Sequence, residues 1–160
     1  MHCEVRRAVV QDVPVVLSLL RELAEFEGKL ERVEVTEERL AEHAFGPHAC
    51  IEMLLGMVDG RAVSYAIFFP HFGSYRGRSW LFLEDLYVQT SARGSGVGRA
   101  MMSHLARIVA ERQWAGMTWG VMDWNAAAFR FYEGLGAVRV DDGHVYMELS
   151  GEALARVATA

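Results

Sequence analysis

Apolar positions recur at three- and four-residue steps near the start of the chain and in continuous or alternating runs through its middle. Val13, Val16, Leu17, Leu20 and Leu23 fall on one face of a helix predicted from about Asp12. Pro14 lies in its first turn, where a missing N–H costs nothing. Residues 4–9 before it read as a short strand, and Gly28 stops the helix. Thr36 caps a second helix that Gly46-Pro47 ends. Residues 50–58 and 61–69 are β-rich runs separated by Asp59-Gly60, a dipeptide suited to a type I′ hairpin. Residues 70–78 read as a loop by composition, and 80–88 as a central strand.

The second half continues the alternation. Val97, Met101, Leu105, Ile108 and Val109 mark an amphipathic helix ending near Arg112. A short strand is predicted over 117–122, then a helix over 126–132 with Asn125 as its N-cap and Gly134 and Gly136 at its end. Residues 138–140 and 144–149 are expected to pair as a final hairpin, before a last helix over about 151–157. With no repeat, linker or low-complexity tract, the pattern predicts one domain over 1–160. Its class is α/β (α+β), a single mixed, mostly antiparallel twisted sheet flanked by helices.

A length of 160 residues suffices for a core without covalent staples. Cys3 and Cys50 share no motif, which argues against a disulfide framework or a zinc site, and the six histidines have no metal-ligand spacing. No uncharged apolar run approaches membrane-spanning length and no leader pattern is evident, so a cytoplasmic protein is expected. Net charge is −5, carried entirely by residues 22–42, where eight acids face three bases. That surface should attract cations and repel nucleic acid. Neither nucleic acid nor a membrane is an expected partner.

The stretch LFLEDLYVQTSARGSGVGR, residues 81–99, joins an apolar strand with adjacent acids to a glycine turn and a helix. Gly94, Gly96 and Gly98 let the backbone turn tightly and bring N–H groups to an anion beside the positive end of the helix dipole. A dinucleotide fingerprint fails because Arg99 or Met101 stands where it needs glycine. A P-loop fails because Arg99 and Ala100 follow the last glycine in place of Lys and Ser or Thr.

Arg93-Gly94-Ser95-Gly96-Val97-Gly98 resembles the R/Q-x-x-G-x-G/A pyrophosphate loop of the GNAT-superfamily N-acetyltransferases. The preceding LEDLYV, Asp123-Trp124-Asn125, Phe131-Tyr132 and Leu135-Gly136-Ala137 fall in that superfamily's order and spacing. Glu22-Leu23-Ala24 and Thr36-Glu37 extend the resemblance to its diamine (spermidine/spermine) and thialysine branch. It implies the GNAT acyl-CoA N-acyltransferase fold, acetyl-CoA as cosubstrate, no metal, and a homodimer.

The resemblance also implies residue roles. Glu84 faces the acceptor amine as general base through a water, and Tyr132 protonates the departing thiolate. Asn125 and Tyr132 lie about two helical turns apart on nearly the same face. The backbone of Leu86, Tyr87 and Val88 pairs with the pantetheine arm in the manner of an added strand, and an N–H there can stabilise the carbonyl oxygen. Arg93, Gly94, Ser95, Gly96, Val97, Gly98 and Arg99 hold the pyrophosphate, although Arg99 equally reads as an exposed helix residue. Asn125 contacts the pantetheine. Phe26, Glu27, Glu84, Asp85 and His144 are the acceptor-site candidates. Asp85 is either a substrate contact or a structural acid, since strand alternation sends it opposite Glu84 unless a bulge intervenes. His144 departs from the Trp of the polyamine enzymes, which weakens a long polycation as substrate.

The expected activity is direct acetyl transfer to a primary amine of a small cationic acceptor: a diamine, a polyamine or a thialysine-like amino acid. Neither cysteine lies in a motif, so an acyl-enzyme route has no foothold. An acetyltransferase for a xenobiotic or a peptide N-terminus, or an acetyl-CoA sensor without turnover, are the alternatives. The joint presence of Glu84 and Tyr132 argues against the sensor.

Overall fold

In the computed structural model, residues 2–140, 143 and 147–159 are described, in two units, Met1–Gly120 and Val121–Ala160. The first unit is built on a five-stranded sheet in the order β1 (Cys3–Arg7), β2 (Glu52–Val58), β3 (Arg61–Gly73), β4 (Arg78–Val88) and β5 (Met117–Trp119). The first three pairings are antiparallel and β4–β5 is parallel. It is therefore the mixed, mostly antiparallel sheet that the alternation predicts.

The β2–β3 hairpin turns through Asp59 and Gly60 with φ of 47° and 79°, and Val58 pairs with Arg61 across it. Positive φ at both central residues is the requirement of a type I′ turn. The expected loop at 70–78 is largely strand, because β3 continues to Gly73 against Arg78 of β4. The last β2 partner of β3 is Phe68. Pro70 therefore lies where one side of the strand has no ladder to lose, and composition alone misread it.

Helix α1 (Val13–Phe26) and helix α2 (Glu37–Phe45) cover one face of the sheet. Val13, Val16, Leu17, Leu19 and Leu40 pack there with Met53, Leu55, Tyr65, Ile67 and Tyr87. Thr36 Oγ1 accepts the N–H of Arg39 at 3.3 Å and caps α2. Gly28, at φ 68°, turns the chain out of α1, and Lys29 N–H reaches back to the Ala24 carbonyl at 2.7 Å.

Helix α3 (Val97–Glu111) packs on the opposite face. Gly56 makes this approach possible: a Cβ there would lie 2.8 Å from Val97 Cγ2, 2.9 Å from Ser64 Cβ and 3.1 Å from Met101 Sδ. Strand β5 stops at Trp119, opposite Leu83, short of the expected Met122. Among the described residues no strand pairs with that edge of β4 beyond this point.

The second unit holds α4 (Ala126–Glu133) and α5 (Gly151–Ala158). Asn125 Oδ1 accepts the N–H of Ala128 at 3.1 Å and caps α4 as expected. Of the expected hairpin, 141–142 and 144–146 lie outside the described residues; 138–140 and 147–149 carry no strand, and Val138, Val140, Met147 and Leu149 are exposed.

Candidate active site

The register of the sheet separates the two adjacent acids. Ile67 pairs with Asp85 and Phe68 with Leu83, so Glu84 is the extra residue of a bulge on β4. It is exposed. Asp85 lies on the α1 face with Ile67, Tyr65 and Tyr87, and its carboxylate accepts a hydrogen bond from Tyr65 Oη at 3.1 Å. Burial pushes the Asp85 carboxyl up to about 6; the Tyr65 hydrogen bond opposes this, and the charges of Glu84 and Glu27 add to it. The Tyr65 hydroxyl is raised well above its ordinary value by its own burial and by Asp85. The charges of Glu84 and Glu27 thus both bear on Asp85, where β4 parts from β5.

Glu27 follows the last residue of α1, Phe26, which is 40% exposed. Its carboxylate pairs with Lys29 Nζ at 3.1 Å. Glu22, one turn earlier, ties α1 to the end of β4, accepting from Gln89 Nε2 at 2.9 and 3.1 Å and from Tyr87 Oη at 3.3 Å. Glu22, Glu25 and Glu37 also line a crevice of about 560 Å³ between α1 and α2, so the acidic segment faces a concavity.

Past the bulge, Leu86, Tyr87 and Val88 have β3 on one side and no strand on the other among the described residues. The loop that follows carries Gly94 at φ 81° and Gly96 at φ 90°, the latter as N-cap of α3. A Cβ at either would meet nothing within 4 Å. Conformation is what these positions demand of glycine, and the space over them is open. Gly98 and Arg99 stand in the first turn of α3, whose leading N–H groups lack intrahelical partners. Val97 N–H faces Ser95 Oγ at 3.4 Å, and Arg99 is exposed.

Arg93, at the start of the loop, reaches back to β4 and α1. Its Nε donates to the Val88 carbonyl at 3.3 Å and its guanidinium lies 4.8 Å from the Phe26 ring centroid. The loop is further tied to β1 by Cys3 Sγ, which donates to the Ser95 carbonyl at 3.3 Å.

In the second unit, Tyr132 lies on α4, its ring edge-on to Phe131 at 5.1 Å. Burial pushes its hydroxyl up to about 12, so it is protonated throughout the neutral range. His144 lies outside the described residues. Among the described residues no group of three or more His, Cys, Asp or Glu could hold a metal ion, and no helix is long and apolar enough to cross a membrane.

Sequence reasoning missed Tyr65, Gln89 and Lys29. Tyr65 reads as one more apolar residue of an alternating strand, and only the pairing of β3 with β4 brings its hydroxyl to Asp85. Gln89 and Lys29 sit just outside recognisable motifs.

The open β4 edge, the glycines facing free space and the α3 N-terminus fit a linear amide-rich arm ending in a pyrophosphate. The comparisons with known proteins agree. The model of the Acetyltransferase (GNAT) family matches residues 16–137, well over half of the chain. A thialysine N-epsilon-acetyltransferase of Bos taurus is 29% identical over 96% of both chains. A spermidine/spermine N(1)-acetyltransferase-like protein 1 of Homo sapiens is 30% identical over 86% of this chain and 21% of its own length. Among solved structures, an integron cassette protein of V. cholerae aligns with a TM-score of 0.79 at 22% identity, covering 100% of this chain and 99% of its own. With its sheet, its glycine turn and its family model in agreement, the chain belongs to the GNAT family and is an acetyltransferase that uses acetyl-CoA to acylate amines.

Proposed function

We propose that the acceptor is a small cationic primary amine, of the diamine, polyamine or thialysine type, acetylated by direct attack. The observation that carries this reading is the buried Asp85 carboxylate, with the charges of Glu84 and Glu27 bearing on it, beside the stretch of β4 edge that no described strand pairs. The likeness to a thialysine acetyltransferase and to a spermidine/spermine acetyltransferase-like protein supports it. In balance, an ammonium and an acetyl thioester give an N-acetyl amine, a thiol and one proton.

Acetyl-CoA, when bound, supplies an acetyl group activated as its thioester. Leu86, Tyr87 and Val88 would hold its pantetheine arm through backbone groups, with Asn125 assisting. Residues 93–99 would hold its pyrophosphate. Glu84, exposed at the bulge, meets the ammonium and orders the water beside it. Asp85 is the carboxylate suited to receive the proton. Passing a proton from an ammonium with pKa near 10.4 to a group at about 6 is uphill by about 6 kcal/mol, against about 9 for an ordinary aspartate. Burial thus removes about 3 kcal/mol, a lowering that general-base catalysis requires. Tyr132 is assigned as acid toward the leaving sulfur, an assignment that rests on its position in the family pattern.

Acetyl transfer is read by free-thiol release from acetyl-CoA over a panel of thialysine, diamines, polyamines, lysine and aminoglycosides. The reading expects turnover of at least one short diamine or thialysine. Acetyl-CoA binding with no turnover of any amine refutes it in favour of a sensor. Turnover confined to aminoglycosides moves the acceptor to the xenobiotic class. We further propose that the 160 residues act as one domain and assemble as a homodimer in the cytoplasm. Sedimentation showing only the mass of one chain would refute the dimer.

A further inference from the structure

We propose that Tyr65 is a positioning residue for the acceptor site: its buried hydroxyl fixes the Asp85 carboxylate on the α1 face of β4 and sets when that carboxylate can accept the ammonium proton. This rests on the acceptor reading above.

Tyr65 is 0% exposed, in the centre of β3, and packs among α1 residues and Tyr87. It pairs with Tyr87 in the β3–β4 register, and Asp85 pairs with Ile67, so hydroxyl and carboxylate meet on a diagonal of the same face. The bulge at Glu84 is required for this: without the extra residue, the acid at position 85 would fall on the other side of the strand. A buried phenol needs an acceptor, and Asp85 supplies it at 3.1 Å.

The groups facing Asp85 are few. From β3 comes Tyr65; from its own strand, Glu84, with Tyr87 bonded away to Glu22; from the end of α1, Glu27, itself paired with Lys29. Strand β5, Met117–Trp119, carries no titratable side chain. Among the described residues Tyr65 is thus the one neighbour that favours the charged form of Asp85, while burial, Glu84 and Glu27 all disfavour it. The proton that leaves the ammonium N–H forms the Asp85 O–H and leaves a neutral amine. Tyr65 keeps the oxygen of that carboxylate in one place and keeps the group ionised at neutral pH, without exchanging its own proton.

The test compares wild type, Tyr65→Phe and Asp85→Asn in two measurements. The first is the pH profile of kcat/KM with the best amine of the panel. The second is a carboxyl-carbon NMR titration of protein labelled at aspartate, with the Asp85 signal assigned by its loss in Asp85→Asn. In Tyr65→Phe the Asp85 midpoint and the acidic limb should both move upward by about one unit, the worth of a hydrogen bond to a charged group. Well below both limbs the variant should run at about one tenth of the wild-type rate. KM should change little, because Glu84 and Glu27 remain to bind the cation.

An unmoved Asp85 midpoint in Tyr65→Phe overturns the positioning role. A midpoint that moves while the limb stays overturns the link from that carboxylate to the proton transfer. If wild type turns over no amine, the acceptor reading itself fails, and the midpoint still decides whether Tyr65 governs Asp85. Should Tyr65→Phe not fold, Asp85→Glu displaces the carboxylate from the hydroxyl by one methylene and carries the same comparison.

Discussion

Gly56→Ala isolates the coupling between the sheet and the cofactor loop. The added methyl would stand 2.8 Å from Val97 Cγ2, 2.9 Å from Ser64 Cβ and 3.1 Å from Met101 Sδ, all closer than carbon or sulfur atoms pack. None of the three can step aside easily. Val97 and Met101 are buried on the sheet-facing side of α3, Val97 is stiff at χ1, and Ser64 is held by a 2.6 Å hydrogen bond from Oγ to the Tyr87 carbonyl. Overpacking of this kind costs about 1–3 kcal/mol. Restricting the unfolded chain returns roughly 0.5–1 kcal/mol, leaving a net loss of about 1–2 kcal/mol. The relief open to the molecule is a shift of α3 away from β2. That shift moves Gly96 and Val97, and with them the loop that would hold the pyrophosphate. Urea unfolding should therefore show a lower midpoint at unchanged slope, and calorimetry should show weaker acetyl-CoA binding. A variant as stable as wild type, with unchanged acetyl-CoA affinity, would show that α3 does not approach β2 as closely as described and would refute the argument.

Asp85→Asn should stabilise the fold while abolishing most turnover. The folded carboxyl is raised from 3.8 to about 6, so the folded chain binds more protons across that window and stability falls as pH rises through it. Removing the charge should add up to about 3 kcal/mol at pH 7 and nothing below pH 3.8, measured by urea midpoints against pH. Glu52→Gln should do the reverse. Arg112 donates to Glu52 at 2.5 and 2.7 Å and, with help from Arg7, holds its carboxyl below the ordinary 4.5 against the cost of burial. That stability is present above about pH 4.5 and is lost as pH falls through the lowered value. The variant should be about 1 kcal/mol weaker at pH 7 and less sensitive to acid. Tyr132→Phe should lower turnover roughly a hundredfold with little change in acetyl-CoA affinity; wild-type turnover would make Tyr132 structural.

The sheet, the three longer helices and the glycine turn are legible in the sequence because each depends on local chemistry. Asp59-Gly60 can adopt the positive φ pair of its hairpin, Thr36 and Asn125 can cap, and Gly96 can start α3 from a left-handed conformation. What the sequence hides is pairwise. Pro70 looks like a breaker until one knows that β2 has already ended beside β3. Glu84 and Asp85 look like alternating neighbours until the register makes Glu84 the extra residue. Tyr65 looks like core because its ring is core, and its hydroxyl gains meaning only from a residue twenty positions away. Arg93, expected at the pyrophosphate loop, also spans the strand edge to Phe26, a contact that only the fold brings about.

Tyr132 needs a more careful role than a simple acid. Its hydroxyl is pushed up to about 12 by burial, whereas a thiol titrates near 8.5. A one-way transfer from tyrosine to thiolate is therefore uphill by about 3.5 units, roughly 5 kcal/mol, and would leave a buried tyrosinate. If Tyr132 is the acid proposed above, the less costly route is a relay, in which it gives its proton toward sulfur while receiving the surplus proton of the newly acylated nitrogen. In that proposal Asp85 handles only the first proton, the one that must leave before attack. The two proposed proton transfers fall to groups raised by burial in opposite functional senses. Asp85 becomes a better acceptor, and Tyr132 becomes a hydroxyl that cannot stay ionised. A relay predicts that Tyr132→Phe leaves the acidic limb of the pH profile where wild type has it, since that limb belongs to Asp85. A limb that moved with Tyr132 would mean that one proton path serves both steps.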